Sequence, residues 1–182
     1  MTVPMKSILL VCTLAAIFAG SLIAQNAALA PLPPDGFVTL QQIVNDFATA
    51  EDAALQKYNG MRILVYGRVG KVTQSHDDYG DPLAVFMQLP NQTTPDVKAL
   101  FGSDDLPKNN SVSSDHTKAD VWHRDWDGNL TKEHAFIVEG ENTGIRGTFD
   151  RLVAGDIVLK NCNKLQAGVL LKKLSEHGIP TE

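Results

Sequence analysis

The stretch Ala50 to Val69, AEDAALQKYNGMRILVYGRV, changes period in mid-course. Up to Tyr58 its apolar residues recur at helical intervals, and beyond Gly60 they alternate. Asn59-Gly60 punctuates the change, since glycine accepts the left-handed conformation that ends a helix. A chain with this switch is committed to a helix feeding directly into a strand. The spacing predicts one helix from Thr39 to Tyr58. Leu40, Ile43, Val44, Phe47, Ala50, Ala54, Leu55 and Tyr58 form its apolar stripe. Thr39 has the side chain to cap it, with Gln42 at capping-box spacing. The strand, residues 61–72, puts Ile63, Val65, Gly67 and Val69 on one face and Arg62, Leu64, Tyr66 and Arg68 on the other. Gly67 in mid-strand marks a bend or a close neighbour, which a small closed barrel needs.

The remaining chain is mainly β. Residues 83–89 return antiparallel to the first strand and 96–101 form a third strand. Residues 102–118 are polar and read as a surface loop. A second hairpin follows over 119–138, turning at Asp127-Gly128, a pair suited to a type I′ turn. Strands at 143–149 and 157–162 complete the set. Residues 166–174 suggest a short helix, and the tail 176–182 reads as frayed.

Residues 1–30 have the form of a signal peptide. Lys6 precedes the uncharged apolar run Ile8 to Ala24, and small residues follow. Cleavage near Ala24 or Ala30 leaves a periplasmic or extracellular protein with no membrane span; the competing reading is a retained anchor. Lys6 is the one charged residue of the first 30. The remaining chain therefore sets 15 basic residues against 21 acidic ones, a net charge of −6. Such a chain repels phosphate backbones, which counts against nucleic acid as a partner. Pro31 to Val38 reads as a stiff linker, 39–165 as the domain with 102–138 inserted, and 166–182 as its C-terminal helix and tail. Cys12 falls in the signal, so Cys162 has no partner for an internal disulfide and reads as a buried thiol.

Four short motifs resemble the tRNA-anticodon-like OB-fold family of small exported bacterial proteins. They are Ala54, Lys57, Tyr58 and Gly60; Ile63, Val65, Gly67 and Val69; Gly140, Ile145, Arg146 and Gly147; and Ile157 to Cys162. The resemblance spans residues 39–165 and implies a five-stranded OB-like barrel with an N-terminal helix. It implies no activity, and the inserted hairpin departs from the pattern.

No nucleophile elbow, phosphate loop or metal motif stands out, so no catalytic residue and no cofactor is assigned. Two groups suggest binding. With Asp127-Gly128 as the turn, Trp122 pairs with Glu133, and Trp122, Arg124 and Trp126 share one face as a stacking platform. The alternative is that the tryptophans pack onto the barrel. On the opposite face His123 and His134 become diagonal neighbours, a thin basis for a metal. The second group is Arg62, Tyr66 and Arg68 on the first strand, a basic aromatic face of the kind that binds single strands. The expected function is a non-catalytic binding module for a protein or glycan partner. A single-stranded nucleic-acid domain and a metal-dependent enzyme are the alternatives.

Overall fold

The computed structural model describes residues 29–73, 83–91, 97–101, 111–112, 117–124 and 130–181. In chain order the elements are β1 (Phe37–Thr39), α1 (Leu40–Thr49), α2 (Glu51–Tyr58), β2 (Arg62–Thr73), β3 (Leu83–Met87) and β4 (Val97–Phe101). Then come β5 (Ser111–Val112), β6 (Lys118–Arg124), β7 (Leu130–Val138), β8 (Asn142–Val153), β9 (Asp156–Lys164) and α3 (Ala167–Glu176).

Strand β2 is long enough to serve two neighbours. Its first half, Arg62 to Arg68, pairs antiparallel with β8, and its second half, Val69 to Thr73, pairs with β3. The ring continues from β3 to β4, from β4 in parallel to β9, and from β9 back to β8. The result is the expected OB-like architecture, a closed five-stranded mixed barrel with a hairpin outside the ring. Ile63, Val65 and Val69 fill its interior with Val85, Met87, Ala99, Ile145, Phe149, Ile157 and Leu159. Gly67 belongs to the same face for a steric reason. A Cβ there would lie 2.5 Å from Leu40 Cβ, so α1 reaches the barrel only because that position has no side chain.

The N-terminal helix differs from expectation. It is two helices, broken at Ala50 (φ −151°, ψ 71°). Phe47 and Tyr58 stack with ring centroids 5.7 Å apart, and Phe47 also stacks on Phe149. One straight helix would hold residues eleven apart about 16 Å from each other along its axis. The break brings both rings to one core. Thr39 caps α1 as expected, its Oγ1 accepting the Gln42 N–H at 3.1 Å.

Two segments read as unstructured are structured. Phe37 and Val38, assigned to the linker, form a strand with Thr39 that pairs in parallel with Leu64–Tyr66. The tail is not frayed at His177. Its ring stacks on Phe37 at 4.2 Å, and its Nε2 lies 3.0 Å from Asp35 Oδ2. Lys173 Nζ donates to the same oxygen at 3.0 Å, and the Phe37 N–H donates to Oδ1 at 3.2 Å. Burial opposes ionisation of Asp35, but the hydrogen bonds from His177, Lys173 and Phe37 outweigh it and bring its pKa down to about 2. Helix α3 is thereby fixed over the outer face of β1 and β2, where Phe37, Leu64, Leu165 and Leu174 are buried together. Among the described residues no helix is long and apolar enough to cross a membrane.

The insert is part of the core. Ala119, Val121 and Ile137, from β6 and β7, are buried with the barrel residues. Lys164 at the end of β9 donates to the Phe136 carbonyl, tying the hairpin to the ring. Burial lowers the pKa of Lys164, and the nearby Glu141 works against that shift.

Candidate binding surface

The outer faces of the barrel strands decide where a ligand can sit. On β2 the outward residues are Arg62, Leu64, Tyr66 and Arg68, as the alternation predicts. The expected open basic face does not form, however. Leu64 is fully buried beneath α3, and Tyr66 is half-buried against the same cluster. Arg62 and Arg68 stay exposed at either end of this covered patch, and Arg62 Nη2 donates to Asn163 Oδ1 at 3.3 Å. The sequence shows which residues point outward but not that a C-terminal helix lies on top of them.

A second outward-facing group lies on β3 and β4, where Ala84 and Leu100 are buried with Val158 of β9 and Phe86 packs against them. Ala84 and Phe86 point outward, since Leu83, Val85 and Met87 face the core. Phe86 is paired with Lys71 of β2 on one side and with Lys98 of β4 on the other. Directly opposed residues share a face, so the three form a cation–aromatic–cation row spaced by about 4.8 Å per strand. Lys98 Nζ lies 5.7 Å from the Phe86 ring centroid. Phe86 and Lys98 are half-buried and Lys71 is exposed. In small barrels of this order the outer face of the second and third strands is a common seat for chain ligands. The sequence does not single out Phe86 and Lys98, because they sit in short strands, 15 and 27 positions beyond Lys71, whose register the sequence does not fix. Phe86 in a run of apolar residues carries no signal of its own.

A groove of about 510 Å³ adjoins this row. Arg68, Val69, Gly70, Gln88, Leu89, Pro90 and Asn91 line its barrel side, and Thr117, Glu139 and Gly140 line the side at the base of the hairpin. Its walls are fixed by backbone bonds. Gly140 N–H donates to Val69 O at 2.8 Å, Val69 N–H to Glu141 O at 2.9 Å, and Glu139 N–H to Thr117 O at 2.8 Å.

The hairpin candidates fare differently. Trp122 stands opposite His134, not Glu133, and Arg124 stands opposite Leu130, with an irregularity between them. Trp126 and the Asp127-Gly128 turn lie outside the described residues.

No family model matches this chain, and no curated protein matches it. Among solved structures it is similar to the crystal structure of a candidate nucleic acid-binding lipoprotein from Klebsiella pneumoniae subsp. pneumoniae MGH 78578. The TM-score is 0.47 at 16% identity, covering 71% of this chain and 91% of that one. A likeness of that degree says nothing about what this chain binds.

Proposed function

We propose that this protein is an exported, non-catalytic binding module of the tRNA-anticodon-like OB-fold type, which holds an extended glycan or protein segment across the outer faces of β3 and β4. The observation that carries this reading is Phe86 set in register between Lys71 and Lys98. The ring offers a flat apolar surface to a sugar ring or a side chain, and the lysines orient carboxylate or sulfate groups beside it. The apolar run after Lys6 supports the exported address.

A second reading, a single-stranded nucleic-acid domain, draws on the same lysines, because aromatic rings between cations stack bases and neutralise phosphates. The excess of acidic residues weighs against it.

The test is calorimetric titration of the protein with neutral and acidic glycan oligomers, an extended peptide library and single-stranded oligonucleotides. Saturable glycan or peptide binding that is lost in Phe86→Ala supports the first reading, and oligonucleotide binding lost in the same variant supports the second. Binding that survives both Phe86→Ala and Lys98→Gln overturns both.

A further inference from the structure

The groove between the barrel and the hairpin base is lined by two groups of opposite charge. Arg68 and Glu139 both line it, and both are exposed. Among the ion pairs of the described residues, none joins Arg68 to Glu139. We propose that the groove is a site for a zwitterionic small molecule of the amino-acid or short-peptide class. Its carboxylate is held by Arg68 and its ammonium by Glu139.

The surroundings suit such a ligand. A volume of about 510 Å³ is that of a small-molecule site. Leu89 and Pro90 supply apolar surface, and Asn91 lines the groove with an amide for a peptide group. Asn91 is held at φ +64°, a backbone setting that asparagine tolerates better than most residues and that fixes where its side chain starts. The guanidinium stands beside Gly140, where a Cβ would lie 3.6 Å from Arg68 Nη2. The sign of the ligand follows from the pair. A simple anion attracted to Arg68 also meets the repulsion of Glu139, and a simple cation meets the reverse. A molecule carrying both charges satisfies both groups. Because the walls are already fixed by backbone bonds, little ordering cost opposes binding.

This inference does not rest on the chain-binding reading, and the experiment keeps the two apart. The intact protein is titrated calorimetrically with the dipeptide alanylalanine, its N-acetyl form and its C-terminal amide. The free dipeptide is expected to bind saturably, with each capped form weaker by about tenfold or more, the value of one charge-assisted hydrogen bond. Arg68→Gln is expected to abolish the dipeptide response and Glu139→Gln to weaken it about tenfold, while Phe86→Ala leaves it unchanged. Circular dichroism establishes that each variant is folded. Equal binding of capped and free dipeptides overturns the proposal. So does an unchanged response in Arg68→Gln, or no saturable binding of the free dipeptide at millimolar concentration.

Discussion

Tyr58 Oη donates to Asp46 Oδ2 at 2.6 Å, across the break between α1 and α2. Lys57 Nζ donates to the same oxygen at 2.7 Å, and its ammonium lies 5.0 Å from the centroid of the Tyr58 ring. The Lys-Tyr pair that carries the family resemblance is thus a structural device. It ties the end of α2 to the middle of α1 and points to no ligand. Burial and the Asp46 carboxylate both push the Tyr58 hydroxyl above its ordinary pKa, so it stays a donor at any working pH.

Replacing Asp46 with alanine is expected to destabilise the fold more than Tyr58→Phe does. The first change leaves a fully buried hydroxyl unpaired and Lys57 without its carboxylate, a cost of about 1–3 kcal/mol. The second removes donor and hydroxyl together and leaves the Lys57–Asp46 pair standing. Urea unfolding of the two variants gives the order, and a larger loss in Tyr58→Phe would refute it.

Gly67→Ala is expected to cost about 1–3 kcal/mol, as overpacking does. The clash is with Leu40 Cβ, which is fixed to the start of α1 and cannot swing aside. Leu40→Gly opens a cavity of its own but removes the clashing Cβ, so the double variant should be less destabilised than the two single changes added together. A double-mutant cycle on unfolding free energies measures the difference.

Asp35 gives the fold an acid-sensitive element. Its pKa of about 2 lies below the ordinary carboxylate value, so the contribution of the Lys173 and His177 contacts is present above roughly pH 4. It is lost as the pH falls towards 2. The wild type should therefore be more stable than Asp35→Asn at pH 6, and the gap should close on approach to pH 2. Urea midpoints of both proteins across that range test the sign; a gap that widens on acidification contradicts it.

Cys162 is 2% exposed, and a Cβ at Gly147 would lie 2.6 Å from its sulfur. A thiol packed this closely reacts only when the barrel opens. Its labelling by an aromatic disulfide reagent should run far slower than that of the urea-unfolded chain. It should also accelerate in Gly67→Ala in step with the lost stability. Rapid labelling of the native protein would show a reactive surface thiol instead.

Much of this fold can be read locally. The Thr39 cap, the Asn59-Gly60 stop and the alternation of β2 are set by residues within one turn or one strand of each other, and all three are present in the structure. What escaped depends on distant partners. Three residues cannot announce a strand, and Phe37–Thr39 become one only because Leu64–Tyr66 offer an edge. The break at Ala50 has no glycine or proline to mark it; the stacking of Phe47 on Tyr58 draws the two helices together. The outer face of β2 looked open because nothing in Arg62 to Arg68 reveals that Leu174, over a hundred positions later, lies across it. The row of Lys71, Phe86 and Lys98 is assembled from three strands and exists only once their register is set.

The contact between Asp35 and His177 also governs how the module can be presented. The chain enters the barrel and leaves it within one hydrogen bond, on the side held by β1, β2 and α3. Phe86 and Lys98 belong to a different side, on β3 and β4. An attachment made at Asp35 or His177 therefore touches none of the residues of the β3–β4 row. The same proximity makes the domain a unit that can be spliced into a loop of another protein with short joints. A pull exerted through both ends together would load the Asp35–Lys173–His177 contacts before any strand of the barrel.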